Sequence, residues 1–259
     1  MAFLDRGDAR LYYEDTGGEG ATVVFSHGIL MDHAMFEPQV RSLAGEFRCI
    51  SWDERGHGQS DQEGSWSYWD SAQDVIALLD HLEIERAFLV GMSQGGFLSL
   101  RAALLAPERV QGLGLIDTQA GTEDPDMVPV YKGFLEVWLA GPNEALAETV
   151  ADIIVGPADH APWVAKWMAR PPESMTEVFN TLVTRDDIHD RLHEITCRAL
   201  VIHGDADPAI SMERAEALCA GLPGCEGLVR IDGAGHASNL SHPGVVTEAL
   251  RDLFRRHAT

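Results

Sequence analysis

The sequence predicts an α/β fold with a mostly parallel sheet of eight strands flanked by helices. Short apolar runs typical of buried strands alternate along the chain with segments of helical periodicity, and this alternation favours a parallel sheet covered by helices. The length of 259 residues fits one domain, or one domain that carries a large insertion. A chain of this length can bury enough surface to fold without a disulfide or a metal ion.

The predicted strands are short and mostly apolar. Residues 10–14 form an early strand that pairs with residues 2–6 in a hairpin. Continuous apolar runs bounded by glycine and aspartate are what strands buried on both faces require. Six such runs complete the predicted sheet: residues 22–26, 47–52, 87–90, 110–116, 199–202 and 227–231.

Three helices are legible between the strands. Apolar residues recur at helical spacing over residues 75–82. Residues 98–105 are apolar nearly all round, so this helix is expected to be deeply buried. The last helix begins at Pro243, a residue favoured in a first helical turn, and buries Val246, Leu250 and Phe254.

One stretch breaks the alternation. Residues 119–196 show helical patterns without a convincing strand, which is long for a connection between strands. We therefore predict a core domain made of residues 1–118 and 197–259. Residues 119–196 are predicted to form a helical cap, inserted after the sixth strand and packed over one end of the sheet.

The charge balance excludes one class of partner. Lys and Arg number 19 and Asp and Glu number 41, which gives a formal net charge of −22. Such a surface repels the phosphates of nucleic acids and anionic lipids. We expect no nucleic-acid partner, and the charge is interpreted as an aid to solubility.

The cysteines and the chain start predict a cytoplasmic protein. Four cysteines, at positions 49, 197, 219 and 225, include no C-x-x-C pair, so we expect free buried thiols in a reducing compartment. The first residues carry charges at once, unlike a secretory signal, and no uncharged apolar run is long enough to span a membrane. We expect no membrane association, and the sequence leaves open whether the chain forms a homo-oligomer.

The strongest local motif is G-M-S-Q-G at residues 91–95. It follows a predicted strand and opens a predicted helix, which is the strand–turn–helix context that a G-x-S-x-G nucleophile requires. Glycines on both sides permit a sharp turn that lifts Ser93 above the sheet. Its hydroxyl then lies at a helix N-terminus, where developing negative charge is favoured.

A serine needs a base, and the base needs a group that orients it. His236 follows the last strand, and Asp207 follows the strand before it. The chain order Ser93, Asp207, His236 is the order expected for this motif. Asp117 and Asp205 compete with Asp207 for the role of the acid, since Asp117 also ends a strand, while Asp205 can brace its own turn.

A third element follows the strand at residues 22–26. The sequence S-H-G-I-L at residues 26–30 places a glycine turn at the end of this strand. Such a turn lets a backbone N–H point at the serine. We predict that the N–H groups of Ile29 and Gln94 form an oxyanion hole.

These residues resemble the α/β-hydrolase fold family, and the similarity extends from Arg10 to the final helix. The segment D-E-R-G-H-G-Q-S at residues 53–60 is similar to a turn that is usually structural in that family. Small serine esterases, enol-lactonases of the 3-oxoadipate type and cofactor-free perhydrolase-like enzymes are the nearest in pattern. The resemblance implies a cap between strands six and seven, and a serine nucleophile excludes the branches that use aspartate. The chain departs from the family at Ser241, where a glutamate is common.

We therefore expect a serine hydrolase that acts on a small, neutral carboxylic ester or lactone through an acyl-enzyme, without a metal or organic cofactor. A C–C bond hydrolase, a cofactor-free perhydrolase or haloperoxidase-like enzyme, and a receptor-like protein that only binds a small molecule are the alternatives that the same residues allow. The pocket is expected between the sheet and the cap. Its predicted lining residues are Leu30, Met92, Trp138, Trp163 and Trp167.

Overall fold

The computed structural model describes residues 2–141, 143–156 and 160–258, and in this part of the chain eight strands form one sheet. The strand order is β1-β2-β4-β3-β5-β6-β7-β8. The first two pairings, β1 with β2 and β2 with β4, are antiparallel, and all the others are parallel. The strands are β1 (Ala2–Asp5), β2 (Arg10–Asp15), β3 (Thr22–Ser26), β4 (Arg48–Trp52), β5 (Ala87–Met92), β6 (Val110–Ile116), β7 (Arg198–Gly204) and β8 (Cys225–Ile231).

The predicted fold class is confirmed, and the strand bounds differ from the prediction by one or two residues at several ends. The central parallel strands β3, β5 and β6 are buried on both faces because helices cover both sides of the sheet, whereas the edge strand β8 is only partly buried. The helices are α1 (Glu37–Leu43), α2 (Tyr68–His81), α3 (Gln94–Leu105), α4 (Met127–Leu139), α5 (Glu144–Ile154), α6 (Ala161–Met168), α7 (Met175–Thr184), α8 (Met212–Gly221), α9 (Ser238–Ser241) and α10 (Pro243–His257).

Successive side chains of β3 alternate between two hydrophobic core clusters. Val24 joins a core cluster that includes the buried faces of α2, α3 and α8. Its neighbours Val23 and Phe25 join a second cluster that includes those of α1 and α10. Successive side chains of a strand point to opposite faces, so each strand contributes to both layers.

The sheet has a switch point between β3 and β5. The chain leaves β3 for β4 on one side and later returns to β5 on the other side of β3. In open α/β sheets, ligands bind in the crevice that such a reversal creates at the carboxyl ends of the strands. The loops that follow β3 and β5 carry residues 26–30 and Ser93 to this crevice.

The segment between β6 and β7 is helical, as expected. In its described part it contains α4, α5, α6 and α7 and no strand. The division of the chain into a core domain and a cap domain stays a prediction. No helix within the described residues has both the length and the apolarity to cross a membrane.

The cysteine prediction is wrong for one pair. Cys219, near the end of α8, and Cys225, at the start of β8, form a disulfide with a Cα–Cα distance of 5.6 Å. A tight helix-to-strand connection brings together two cysteines whose spacing of six residues does not match C-x-x-C. Cys49 and Cys197 are free thiols. Disulfides are rare in reducing compartments, so the cysteines no longer support the predicted cytoplasmic location. That location stays a prediction.

Candidate active site

The turn between β5 and α3 holds Ser93 in a strained conformation, with φ at 49° and ψ at −113°. The two glycines of the motif make this turn sterically accessible. A Cβ added at Gly91 would lie 2.1 Å from the carbonyl carbon of Gly95, and one added at Gly95 would lie 1.9 Å from the carbonyl oxygen of Ser26. Both contacts are far inside van der Waals distance, so any other residue would force the turn apart.

Ser93 lies at one end of a chain of three hydrogen-bonded side chains. The Ser93 Oγ is 3.0 Å from Nε2 of His236, and Nδ1 of His236 is 2.8 Å from Oδ2 of Asp207. A carboxylate only accepts, so Nδ1 donates to Asp207 and the free lone pair of Nε2 faces the serine hydroxyl. The sequence predicted these three residues together, and the structure places them within hydrogen-bonding distance.

The environment of this chain favours charge separation between His236 and Asp207. Burial raises the pKa of Asp207, but the imidazole of His236 outweighs burial and the pKa of the carboxyl is lowered from its usual value. Backbone N–H groups of Ile210 and Ala209 also donate to Asp207. Burial lowers the pKa of His236, but Asp207 outweighs it and the pKa is raised above its ordinary 6.5. The carboxylate thus stabilises a protonated imidazole.

The two competing aspartates have other partners. Asp117 accepts hydrogen bonds from the backbone N–H of Gly204 and from the N–H and hydroxyl of Ser238, so it braces the loop that carries His236. Burial raises the pKa of Asp117 to about 6. Asp205 accepts from the N–H of Gly233. Neither carboxylate has a hydrogen bond to the His236 ring among the described residues, and Asp207 does.

The turn after β3 contributes Ile29 and Leu30 to the cavity that Ser93 also lines. It is closed by a hydrogen bond from the N–H of Met31 to the carbonyl of Gly28, and Leu30 within it has a φ of 63°. Ile29 lines the same cavity as Ser93. Among the described residues, the N–H groups of Ile29 and Gln94 have no hydrogen-bond acceptor. Both are therefore free to donate to an oxygen at the serine.

A buried polar network lies behind Gln94, and sequence reasoning missed it. The side-chain oxygen of Gln94 accepts from the hydroxyl of Tyr68, and its Nε2 donates to Glu54. The other Glu54 oxygen accepts from the Ser71 hydroxyl. Burial raises the pKa of Glu54 to about 8. Glu54 lies in the turn at residues 53–60, so a motif interpreted as structural is connected directly to the residue that follows the nucleophile.

The rest of that turn is structural, as the sequence predicted. The Asp53 carboxylate accepts from the N–H groups of His33 and Gln59. Gly58 has a φ of 50°, and a Cβ there would lie 2.2 Å from the Asp53 carboxylate. The turn therefore closes around its own aspartate.

Ser93 and His236 open onto an apolar cavity that contains about 610 Å³ of empty space, part of it continuous with solvent. Its walls come from loops at the edge of the sheet, from α3 and from the helices between β6 and β7. The other described lining residues are Ile29, Leu30, Phe97, Glu123, Tyr131, Phe134, Val150, Ile153, Ile154, Phe179, Leu182, Ala209 and Ile210.

The predicted lining residues lie in different surroundings. Leu30 lines the cavity, whereas Trp138 and Trp167 line a smaller adjacent cavity of about 300 Å³. Met92 is fully buried with its sulfur against Gly28, because its strand position directs it into the core beside the nucleophile. Trp163 is buried and lines neither of these two cavities. Met92 and Trp163 therefore lie outside the walls of these two cavities, and a role of either residue in substrate binding stays a prediction.

One charged side chain in the cavity wall was not anticipated. Glu123 forms an ion pair with Arg185, whose guanidinium lies 4.2 Å from the ring centroid of Phe97. The Arg185 side chain is 1% exposed, so its charge is almost completely shielded from solvent. The pair fastens the loop after β6 to the end of α7, and the sequence contains no local pattern that would connect the two.

Two groups of carboxylate and imidazole side chains bring possible metal ligands together, Asp32 with His33 and Asp53, and Asp117 with His203 and Asp207. Their carboxylates already accept hydrogen bonds or ion pairs: Asp32 binds Lys166, and Asp53 accepts from the N–H groups at its turn. The predicted independence from metals and cofactors stays a prediction.

Comparison with known proteins gives one consistent family. A family model described as alpha/beta hydrolase fold matches residues 21–243. The chain is 27% identical to 3-oxoadipate enol-lactonase 1 of Acinetobacter baylyi, over 94% of this chain and 92% of that protein. It is 26% identical to a putative carbamate hydrolase of Azorhizobium caulinodans, over 96% and 97% of the two chains. A thermophilic esterase from Thermogutta terrifontis superposes with a TM-score of 0.87 at 30% identity, over 99% of this chain and 97% of the esterase.

Proposed function

The chain belongs to the α/β hydrolase fold family, and we propose that it is a serine hydrolase that cleaves a small, neutral carboxylic ester or lactone. The observation that carries this proposal is the hydrogen-bonded series Ser93, His236 and Asp207 at the mouth of an apolar cavity. Esterase and enol-lactonase relatives of nearly the same length support the same reaction class.

The proposed acylation step uses the three side chains in turn. The Ser93 oxygen attacks the carbonyl carbon of the substrate while its proton passes to Nε2 of His236, 3.0 Å away. The carbonyl π electrons move to oxygen, which becomes the oxyanion of a tetrahedral intermediate. When this intermediate collapses, the bond to the alkoxide breaks and His236 returns the proton to the leaving oxygen. The products are an alcohol, or an opened lactone, and an acyl-serine.

The proposed deacylation step repeats the same sequence with water. His236 removes a proton from water, the oxygen attacks the acyl carbon, and the bond to Ser93 breaks as the serine oxygen regains a proton. In both steps Asp207 holds the imidazole by its Nδ1 and stabilises the protonated ring. The N–H groups of Ile29 and Gln94 donate to the oxyanion, and one such donor contributes about 3 kcal/mol to the transition state.

The cavity supports a neutral substrate with an apolar acyl group. Its lining is mostly aliphatic and aromatic, and Glu123 is the one carboxylate among the described lining residues. The described lining contains no Lys or Arg to bind a substrate carboxylate, the nearby Arg185 is already paired with Glu123, and the net charge of −22 gives no attraction at long range. The mostly apolar lining favours an acyl group longer than acetyl, since each buried methylene contributes about 0.8 kcal/mol.

Hydrolysis of p-nitrophenyl esters across a series of acyl lengths tests the proposal, with Ser93→Ala measured beside the unaltered protein. We expect turnover with an optimum above acetyl, and a loss of about 10⁴-fold or more in Ser93→Ala. A panel of neutral lactones run in parallel separates lactonase from esterase activity.

Labelling by a fluorophosphonate gives an independent control. Mass spectrometry should locate the adduct on Ser93 and find none in Ser93→Ala. A folded protein that neither labels at Ser93 nor turns over any ester or lactone would rule the proposal out. A protein that labels but hydrolyses only vinylogous diketones would replace ester hydrolysis with C–C bond hydrolysis at the same serine.

A further inference from the structure

We propose that Trp167 of α6 is a positioning residue that holds the oxyanion-hole turn in its active conformation, so that the docking of this helix controls the chemical step. The inference rests on the proposed function, since it concerns the donor Ile29. Trp167 touches no reacting atom. It acts through the backbone of residues 28–31.

The central observation is one hydrogen bond between distant parts of the chain. The indole Nε1 of Trp167 donates to the carbonyl oxygen of Leu30 at 2.6 Å, across 137 residues of sequence. Trp167 is 2% exposed, so water does not compete with this bond. Leu30 directly follows Ile29, which lines the same cavity as Ser93 and is the proposed oxyanion donor.

The turn needs such an external partner because its own conformation is unfavourable. Leu30 has a φ of 63°, in the left-handed region that leucine rarely adopts. Residues in such conformations persist only where their surroundings hold them in place. One bond inside the turn, from Met31 to Gly28, closes it. The carbonyl of Leu30 shares its peptide group with the N–H of Met31, which donates to Gly28, so the bond from Trp167 fixes the peptide group that closes the turn around Ile29.

Two neighbours of Trp167 dock the same helix end on both sides of the turn. Lys166 contacts the Asp32 carboxylate with its Nζ, 2.5 Å from Oδ2. Arg170, just beyond α6, donates to the carbonyl of Gly56. Three side chains within five residues therefore attach α6 to the loops beside Ser93. A single displacement of this helix would disturb all three contacts and the turn between them.

The position of Leu30 connects this contact to the substrate. Leu30 lines the cavity that contains Ser93 and also the adjacent cavity lined by Trp167. A substrate in the first cavity therefore packs against Leu30, the residue whose carbonyl accepts the hydrogen bond from Trp167 of α6. Trp167 is thus placed to affect the stabilisation of the oxyanion more than the affinity for the substrate.

The test is the substitution Trp167→Phe, which keeps an aromatic ring and removes the donor. We expect kcat for a p-nitrophenyl ester to fall about tenfold or more, with KM within about threefold, because an oxyanion donor acts mainly in the transition state. The affinity for an aryl trifluoromethyl ketone, whose hydrated or serine adduct carries an oxyanion, is expected to fall by the same factor as kcat.

Trp163→Phe is the matched control. Trp163 lies one turn earlier on α6, is also buried, and its indole nitrogen has no hydrogen-bond partner among the described residues. The same change of ring there is expected to leave kcat within about twofold, since no transition-state contact is lost. Urea unfolding of both variants separates a loss of stability from a loss of activity.

A second variant keeps the test open if Trp167→Phe does not fold. Lys166→Met removes the neighbouring contact with Asp32 at a side chain that is 45% exposed. We expect a smaller loss, about threefold in kcat without a rise in KM, because the turn keeps its bond to Trp167.

Three outcomes contradict the inference alone, and a loss of the proposed function overturns it as well. Equal losses of kcat in Trp167→Phe and Trp163→Phe would mean that α6 only needs to be packed. A change confined to KM would make Trp167 an ordinary pocket wall, and ketone affinity that stays constant while kcat falls would exclude the oxyanion hole. Activity that is absent from the unaltered protein, or that persists in Ser93→Ala, would overturn the proposed function and this inference with it.

Discussion

The loops at the carboxyl ends of the strands and the helices between β6 and β7 form different walls of the same cavity. The two walls are held in place by different physical means. In the loops at the carboxyl ends of the strands, backbone geometry and hydrogen bonds hold each polar group, as in the turn at Ser93 and the bonds of Asp207. The helices contribute mainly apolar side chains, such as Phe134 and Phe179. One wall is specified by contacts at fixed distances, and the other by packing.

The difference predicts how each wall tolerates change. A Cβ at Gly95 would lie 1.9 Å from the carbonyl oxygen of Ser26, and both ring nitrogens of His236 are within hydrogen-bonding distance of a specific partner, Ser93 or Asp207. Apolar walls accept changes of volume that alter the shape of a cavity while its chemistry persists. Substitutions in the loops at the carboxyl ends of the strands should therefore lower kcat. Substitutions in the helices between β6 and β7 should change which substrates are accepted.

The largest effect is expected from Asp207→Asn. The neutral amide cannot stabilise a charged ring as the carboxylate does, and its NH2 group can donate to Nδ1 and hold the wrong tautomer, so kcat/KM should fall by about 10⁴-fold. The matched variant Asp117→Asn weakens the brace to Ser238 and Gly204 and should act chiefly on thermal stability. Ester kinetics and melting curves for both variants check this. A larger rate loss in Asp117→Asn would transfer the role of the acid to Asp117.

Glu54→Gln tests whether the buried network of Glu54 and Gln94 stabilises the loops at the carboxyl ends of the strands. The folded-state pKa of Glu54 is raised to about 8 from an ordinary value of 4.5, so the unfolded chain releases this proton at a lower pH than the folded protein does. The free energy of unfolding should therefore fall as pH rises between these values, by up to about 1.4 kcal/mol per pH unit, and level off above them.

Urea unfolding of the unaltered protein and of Glu54→Gln at several pH values measures this slope. The variant has no carboxyl at this position, so its unfolding free energy should vary less with pH over the same interval. Identical slopes in the two proteins would show that Glu54 ionises normally and that the network behind Gln94 is solvated.

A smaller effect is expected in the pH dependence of the reaction, and it arises from His236 in the same set of loops. His236 must be neutral to accept the serine proton, and Asp207 raises its pKa above 6.5. The activity should therefore decline on the acid side with a midpoint above 6.5, by about tenfold per pH unit below it. A kcat/KM profile for a neutral ester checks the midpoint. A midpoint below 6.5 would mean that burial outweighs the carboxylate.

The smallest effect is expected in the helical wall. Phe134 lies between the two cavities and is half-buried, so Phe134→Ala should join them without exposing a core. We expect kcat for short esters to stay within about threefold and the acyl-length optimum to move to longer chains, since each added methylene gains about 0.8 kcal/mol on burial. An unchanged optimum with a lower kcat would mean that this wall also positions the reacting groups.

Much of the fold was accessible from local pattern, because strands buried on both faces must be apolar throughout. The eight strands were found to within a few residues, and the start of the last helix at Pro243 is confirmed. The G-M-S-Q-G turn at residues 91–95 could be located because its glycines are required by contacts as short as 1.9 Å. The partners of Ser93 followed from chain order, since loops after parallel strands meet at one edge.

The sequence by itself determined the fold class, the strained turn at Ser93 and the loops that carry Asp207 and His236, because each depends on residues adjacent in the chain. Only the tertiary structure decided the disulfide between Cys219 and Cys225 and which aromatic side chains face the cavity. It also decided the bonds of Glu54 to Gln94 and of Trp167 to Leu30. These contacts join segments far apart in the chain or depend on the direction of a side chain, which no local pattern specifies.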